Sequence, residues 1–294
     1  MLATSRKLLE LVRFSHTIFA LPFALLSAAM AWKHEPFRWA DLIGVLACMV
    51  FARSFAMAFN RLVDRRIDAK NPRTAGRHLP AGLLTVTTVT LFTLANAVAF
   101  VAATLIFYFR EPSNPWPLYL SAPVLVFLAG YSLTKRFTSL AHVWLGVSLS
   151  LAPVAAWIAV RGLVEMEVPL LLGGVVLFWV TGFDILYACQ DATFDASEKL
   201  HSIPARFGVH RSLRIASACH AVMFVLLLAL VAVSSDLQGP IFLAACGAVG
   251  VLLVYEHAIV SAENLSRVNR AFFQVNAVIS LGLLAVGVAQ LWVK

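Results

Sequence analysis

The feature that most constrains this chain is a series of separate apolar segments, each close to the 20 or so residues that a helix needs to cross a bilayer. They lie at residues 15–32, 39–60, 83–109, 116–132, 140–160, 168–189, 213–235, 240–260 and 271–292. In lipid each segment must satisfy its own backbone hydrogen bonds, and the alternating polarity of barrel strands is absent. The sequence therefore predicts an all-α, polytopic membrane bundle of about nine transmembrane helices.

The composition excludes a water-soluble fold. Of the 294 residues, 61% are hydrophobic and 13% are charged, whereas soluble domains are about a quarter charged. Residues 1–294 suffice for one bundle of this size, so we predict a single transmembrane domain. The four cysteines lie singly inside apolar runs, which predicts neither a disulfide framework nor a thiolate metal site.

The basic residues predict the orientation of the bundle. With a cytoplasmic N-terminus, the inner segments hold most of the 23 Lys and Arg residues, as the positive-inside rule requires. The net charge of +8 then reflects topology and contact with anionic lipid headgroups. It does not indicate nucleic-acid binding, because no basic face is interleaved with stacking aromatic side chains.

Two charged stretches interrupt the apolar pattern, at residues 60–82 and 182–208. Four spans separate them, so both are expected at the cytoplasmic surface. Each contains two acids spaced acid-x-x-x-acid, then a histidine and a Pro-Ala pair further on. The similarity predicts a weak internal four-helix repeat, and membrane proteins with such repeats often place their site where the halves meet.

The first stretch predicts a polar helix face. If the preceding helix continues, Asn60, Asp64 and Asp68 recur every four residues and share one side of it. Arg53, seven residues earlier, falls on the same side at greater depth in the bilayer. An alternative is that the acids only pair with Arg61 and Arg65 at a solvated helix end.

The second stretch repeats this spacing. Asp184, Asp191 and Asp195 stand at i, i+7 and i+11 with Tyr187 beside them, which predicts another polar face on a helix. Carboxylates that lie close together repel each other unless cations lie between them. Oxygen ligands alone suit Mg²⁺, which usually completes its coordination with water and substrate phosphates. The alternative for Arg53 and Asp184 is a structural ion pair between two helices.

Four segments together resemble the UbiA superfamily of intramembrane aromatic prenyltransferases, in its 4-hydroxybenzoate polyprenyltransferase-like subgroup. Residues 60–68 match the first aspartate-rich motif and residues 191–195 match the second. Residues 131–135 are similar to the Tyr-x-x-x-Lys loop, and residues 73–80 are similar to the Arg-Thr-x-x-Arg-Pro-Leu-Pro segment. The resemblance covers essentially the whole chain.

The resemblance implies a reaction and its residues. A polyprenyl group would pass from its diphosphate to an electron-rich aromatic quinone precursor, with Mg²⁺ as cofactor. The implied metal ligands are Asn60, Asp64, Asp68, Asp191 and Asp195, and the four acids with Lys135 form the implied catalytic set. The remaining implied substrate-binding residues are Arg73 and Arg77 at the diphosphate, Tyr131 and Tyr187 near the scissile bond, and Arg53, Arg136 and Asp184.

The acceptor and the class of protein remain open from the sequence. A 4-hydroxybenzoate acceptor and 1,4-dihydroxy-6-naphthoate, used in the futalosine route to menaquinone, both carry a carboxylate that Arg53 or Arg136 could receive. An ion-coupled transporter would also use buried acids and repeated helices, although carrier acids usually lie near the bilayer midplane. The resemblance implies a bacterial inner-membrane enzyme whose site faces the cytoplasm, and it indicates no protein partner.

Overall fold

The computed structural model describes residues 2–12 and 14–292, and within them every regular element is helical. Met1, Arg13 and the last two residues of the predicted 1–294 domain lie outside the described part. The α-helices are α1 (Leu2–Leu11), α2 (Leu21–Ala31), α3 (Trp39–Lys70), α4 (Val86–Tyr108), α5 (Trp116–Thr134), α6 (Ala141–Arg161), α7 (Glu167–Ala188), α8 (Ala192–Ser197), α9 (Ile203–Phe207), α10 (Val209–Val233), α11 (Pro240–Ala258), α12 (Val268–Arg270) and α13 (Asn276–Trp292). Three 3₁₀ segments lie at Phe14–Phe19, Cys189–Asp191 and Ser235–Leu237, and a π-helical turn lies at Ala271–Val275.

The all-α, multi-pass prediction is confirmed. Eight helical segments in the described part of the chain are long and apolar enough to cross a membrane. The first of the nine predicted segments differs, because it consists of a 3₁₀ segment followed by α2, which has only 11 residues. Pro22 lies in the first turn of α2, where its missing N–H is tolerated and its fixed φ starts a new helix.

The chain divides into two compact units. The first comprises Met1–Thr17 and Arg38–Leu133. In it Asp41, fully buried at the start of α3, accepts a hydrogen bond from Arg110 at 3.0 Å, which ties the end of α4 to α3. Further along α3, an apolar cluster joins α1 and the segment before α4 to α3, and its members are Leu11, Val12, Ala58, Leu84 and Val89.

The second unit comprises Ile18–Phe37 and Thr134–Lys294. Its central helix is α7, whose span is 61% buried, more than any other candidate span among the described residues. The helices α2, α6 and α10 pack against it. Rings of Trp179 and Phe183 on α7 lie edge to face, 5.0 Å apart, within a core that is almost entirely buried.

Two glycines allow this close packing. A Cβ added to Gly146 on α6 would collide with the hydroxyl of Thr181 and the carbonyl of Leu177 on α7. A Cβ added to Gly182 on α7 would collide with the imidazole of His220 on α10. Because neither helix backbone can move away without opening the core, these positions exclude even a methyl group.

We expect Gly146→Ala to destabilise the protein by about 1–3 kcal/mol, because overpacking forces α6 and α7 apart. The measurement is the thermal unfolding midpoint of the purified protein in detergent. Gly247→Ala on α11 is the matched control, since a Cβ there meets nothing within 4 Å. Equal midpoints for the two variants would contradict the close approach of α6 and α7.

Candidate functional site

The first acid pair lies on a continuous helix, as the sequence predicted. The apolar part of α3 ends near Asn60, but the helix continues through Lys70, so Asn60, Asp64 and Asp68 lie one turn apart. The Asn60 amide donates to Asp64 Oδ2 at 2.8 Å, which holds that half-buried carboxylate in place. Arg65 donates to the carbonyl of Leu62 at 2.6 Å.

The loop after α3 returns a cation to the last of these acids. Thr74 donates from its hydroxyl to the Asp68 carbonyl at 3.0 Å, and the Arg73 amide donates to Asn71 Oδ1 at 2.9 Å. The loop thus folds back on the helix end, and Arg77 Nη1 reaches Asp68 Oδ1 at 2.6 Å. The Asp68 side chain is only 8% exposed, so this ion pair neutralises a charge that has little contact with water. Arg73 itself is exposed.

Helix α1 lies against the same loop. Lys7 donates to the Leu83 carbonyl at 3.3 Å, and Glu10 lies 3.5 Å from His78. The pKa of Glu10 is lowered from its ordinary value, chiefly by the hydrogen bond from Arg6. The contacts of Lys7 and Glu10 therefore place α1 beside the segment that follows Arg77.

Two further predicted residues lie in the first unit. Arg53 is half-buried within α3, two turns before Asn60, and Tyr131 is half-buried near the end of α5. The predicted Tyr-x-x-x-Lys segment therefore has its tyrosine in the first unit and its lysine, Lys135, in the second. Arg136, the other candidate for an acceptor carboxylate, is exposed.

The second acid pair does not continue the helix that carries Asp184, which corrects the predicted i, i+7, i+11 face. Helix α7 ends at Ala188, a 3₁₀ turn covers Cys189–Asp191, and α8 begins at Ala192. Three residues at about 120° instead of 100° rotate Asp195 by roughly 60° relative to Asp184. The side-chain amide of Gln190 donates to the backbone carbonyl of Tyr187 at 3.2 Å in this turn. Side-chain donors that compete for backbone carbonyls are a known reason for a helix to tighten or end.

Lys135 pairs with the last acid of this second group. Its Nζ lies 3.4 Å from Asp195 Oδ2, and the Asp195 side chain is only 4% exposed. The loops around them are joined by backbone bonds, since His201 N donates to the Lys135 carbonyl at 2.7 Å and Leu200 N donates to the Asp195 carbonyl at 2.8 Å. Asp191 is also buried. Each group of acids therefore has a cation on its last member.

Asp184 has a partner that sequence reasoning missed. His142 Nδ1 lies 2.7 Å from Asp184 Oδ2, and the Ile203 amide donates to His142 Nε2 at 3.4 Å. A signal was available, because a histidine inside a predicted span is a functional candidate by default.

Tyr187 lies against a second feature that the sequence did not indicate. Its ring packs on Phe272 with 4.4 Å between centroids, and Phe272 also contacts Phe183 and Phe19 at 5.3 Å each. Phe272 belongs to the π-helical turn Ala271–Val275, a rare element that is frequent at functional sites. Nothing in an apolar run distinguishes this cluster from ordinary core residues.

A buried polar network supports that turn. The Asn276 amide nitrogen donates to the carbonyls of Ala271 and Phe272 at 3.2 Å each and to Glu256 at 3.0 Å. Its oxygen accepts from the Trp179 indole at 2.6 Å. One amide therefore connects the π-helical turn with α7 and α11.

The oxygen ligands fit Mg²⁺. Across residues 2–12 and 14–292, no three His, Cys, Asp or Glu side chains are grouped so that they could hold a metal by themselves. Mg²⁺ does not need such a cage, because it is commonly held by one or two carboxylates, substrate phosphates and water. Asp68 Oδ2, buried and without a hydrogen-bond partner among the described residues, is an oxygen atom that such a site could use.

Comparison with known proteins assigns the fold to a family. The UbiA prenyltransferase family matches residues 20–278. The 4-hydroxybenzoate octaprenyltransferase of Methylobacillus flagellatus is 32% identical over 260 residues, which cover 86% of this chain and 84% of that protein. The apo structure of a UbiA homolog from Aeropyrum pernix K1 superposes with a TM-score of 0.82 at 30% identity, covering 93% of this chain and 97% of that one.

A more distant structure shares the fold. The UbiA homolog from Archaeoglobus fulgidus bound to DMAPP and Mg²⁺ superposes with a TM-score of 0.70 at 19% identity, covering 98% of this chain and all of the other. With a family match over most of its length, this multi-pass membrane protein is an enzyme rather than an ion-coupled transporter. The chain belongs to the UbiA prenyltransferase family.

Proposed function

We propose that this enzyme transfers a polyprenyl group from polyprenyl diphosphate to 4-hydroxybenzoate, with Mg²⁺, in the biosynthesis of a lipid quinone. The observation that carries the proposal is that the last acid of each acid group pairs with a cation, Asp68 with Arg77 and Asp195 with Lys135. Buried acids and neighbouring cations together are what a metal-bound diphosphate requires. The relative from M. flagellatus is a 4-hydroxybenzoate octaprenyltransferase, and the homolog from A. fulgidus was solved with DMAPP and Mg²⁺.

The residues have distinct parts in this reaction. Asn60, Asp64 and Asp68 in one group and Asp191 and Asp195 in the other would hold Mg²⁺. When bound, the metal would supply positive charge where the diphosphate leaves, which is where negative charge develops. Arg73, Arg77 and Lys135 contribute further positive charge, and Tyr131 and Tyr187 orient the groups near the breaking C–O bond.

The apolar spans serve the prenyl chain. Loss of the diphosphate leaves an allylic cation, which aromatic faces can shelter and which the acceptor ring then attacks before losing a ring proton. Helices that exclude water prevent hydrolysis to a prenol. Arg53 is the better candidate for the acceptor carboxylate, because it is half-buried within a span whereas Arg136 is exposed. The positive-inside bias supports a site on the cytoplasmic face of the bacterial inner membrane.

The test is a membrane assay with polyprenyl diphosphate, Mg²⁺ and 4-hydroxybenzoate, analysed for prenylated product. We expect a chelator to abolish transfer, and Asp64→Asn or Asp191→Asn to lower activity by at least about 100-fold, the scale of losing a key electrostatic stabiliser. Asp236→Asn is the matched control, since Asp236 pairs with His34 in a segment outside both acid groups. Full activity of either acid variant at normal expression would refute the assignment of that acid.

A further prediction concerns the ion pair between Arg77 and Asp68. Arg77 contacts Oδ1 of the carboxylate that we assign to the metal, whereas Oδ2 has no hydrogen-bond partner among the described residues. A metal on Oδ2 would compete with Arg77 for the negative charge of Asp68, and we expect Arg77 to transfer to the diphosphate when substrate binds. Arg77→Gln should therefore tighten metal binding in the absence of diphosphate by roughly tenfold, because a competing cation is removed, while raising the KM for the diphosphate. Mn²⁺ binding to the purified protein, followed by electron paramagnetic resonance, measures the first effect.

Arg66→Gln is the control for this prediction, because it removes the same charge from an exposed position on α3. Weaker Mn²⁺ binding in Arg77→Gln than in Arg66→Gln would show that Arg77 supports the metal site instead of competing for it.

The second candidate acceptor is 1,4-dihydroxy-6-naphthoate. Its larger ring needs space beside small residues, and the sequence offers Ala58 and Gly182 among others. In the structure both are used for packing, since Ala58 is buried in the cluster with α1 and Gly182 lies against His220. Because the relative from M. flagellatus is a 4-hydroxybenzoate octaprenyltransferase, we expect 4-hydroxybenzoate to have the higher kcat/KM when the two acceptors compete for one labelled polyprenyl diphosphate. A higher kcat/KM for the naphthoate would instead assign the enzyme to the menaquinone route.

A further inference from the structure

His142 has both ring nitrogens in use while being fully buried at the start of α6. Nε2 lies 3.4 Å from the Ile203 amide nitrogen. A backbone amide can only donate, so Nε2 accepts and carries no proton. The proton of the neutral ring is therefore on Nδ1, which donates to Asp184 Oδ2 at 2.7 Å. The protonation state follows from the hydrogen-bond network.

The contact with His142 fixes one oxygen of Asp184. At 2.7 Å, Oδ2 accepts from the ring N–H at a distance typical of a charge-assisted hydrogen bond. The imidazole side chain is 1% exposed, whereas the Asp184 side chain is 17% exposed. The histidine thus holds the carboxylate from its buried side and leaves part of it accessible.

His142 also connects Asp184 to the second acid group. Ile203 begins α9, directly after the loop in which His201 is bonded to the Lys135 carbonyl and Leu200 to the Asp195 carbonyl. The ring therefore couples the end of α7 to the loop behind Asp195. A shift of the imidazole would change the position of Asp184 relative to that loop.

We propose that His142 is a positioning residue for the aromatic acceptor, an inference that rests on the proposed function. Held by the neutral ring, the ionised Asp184 accepts a hydrogen bond from the hydroxyl group of the acceptor. It repels the acceptor's own carboxylate, so the ring binds with its hydroxyl toward Asp184. The hydroxyl proton stays on oxygen, and the hydrogen bond to a carboxylate increases the electron density of the ring that attacks the allylic cation.

Two polar variants separate the contacts of His142. The amide of Asn is attached at Cγ, as Nδ1 is, so His142→Asn keeps a donor for Asp184 and loses the acceptor for Ile203. The amide of Gln lies one carbon further, as Nε2 does, so His142→Gln keeps an acceptor for Ile203 and loses the donor for Asp184. Both retain a polar side chain at a buried position, and His210→Gln, at an exposed position on α10, is the control.

We expect His142→Gln to raise the KM for 4-hydroxybenzoate by about tenfold or more, the scale of losing a charge-assisted hydrogen bond. The KM for polyprenyl diphosphate and the inhibition constant of benzoate, which lacks the hydroxyl, should change by less than about twofold in this variant. His142→Asn should retain an acceptor KM close to that of the wild type. A purely structural histidine would instead weaken donor, acceptor and benzoate binding together.

Three outcomes would overturn the inference. These are an unchanged acceptor KM in His142→Gln, parallel losses for benzoate and 4-hydroxybenzoate, and a larger effect of Asn than of Gln. If His142→Gln does not fold, the acceptor KM of His142→Asn still tests the inference. An acceptor KM about tenfold higher in His142→Asn than in the wild type would contradict the role of Nδ1. Failure of the proposed function is distinct, since the wild type itself would then form no prenylated 4-hydroxybenzoate.

Discussion

A carboxylate held away from water needs a cation or several hydrogen bonds, and the polar parts of this protein are arranged around that requirement. Asp68 has Arg77, Asp195 has Lys135, Asp41 has Arg110, and Asp184 has His142. Loops supply Arg77 and Lys135, whereas Arg110 follows a helix end and His142 lies within a helix. The two acids in the proposed metal sites therefore have partners that belong to loops. The acid at the end of α7 has a partner on a packed helix.

The core around α7 determines where the polar groups of the second unit can lie. Gly146 on α6 and Gly182 on α7 let α6 and α10 approach α7 closely. His142 lies one turn before Gly146 on α6, and Asp184 lies about one turn after Thr181, which faces Gly146 from α7. The close approach at Gly146 therefore brings His142 opposite Asp184. The packing of two helices at a glycine thus produces a hydrogen bond between the buried side chain of His142 and the half-buried side chain of Asp184. On another side of α7, Asn276 bonds to Trp179 and to the π-helical turn, which orders the ring of Phe272 beside Tyr187. An apolar core with a small number of polar contacts therefore positions Asp184 and Tyr187 in the proposed site.

The two acid groups show how far a sequence pattern reaches. The spacing of Asn60, Asp64 and Asp68 predicted a shared helix face, and α3 does continue through them. The same reasoning was wrong for Asp184, Asp191 and Asp195, because a 3₁₀ turn separates them. Periodicity describes a helix only while the helix persists, and the 3₁₀ turn at Cys189–Asp191 interrupts it at a position that hydropathy does not mark. The first predicted span is likewise divided, at Pro22.

Hydropathy and spacing along a helix predict the membrane-spanning, all-α class, the number of long spans to within one, and the candidate acids and cations of the proposed site. The tertiary structure adds which cation lies beside which acid, the contacts of His142, and the aromatic cluster at the π-helical turn. The bonds between Lys135 and Asp195 and between His142 and Asp184 join residues 60 and 42 positions apart. Such pairings depend on how helices pack against each other, and no local pattern of residues specifies that packing.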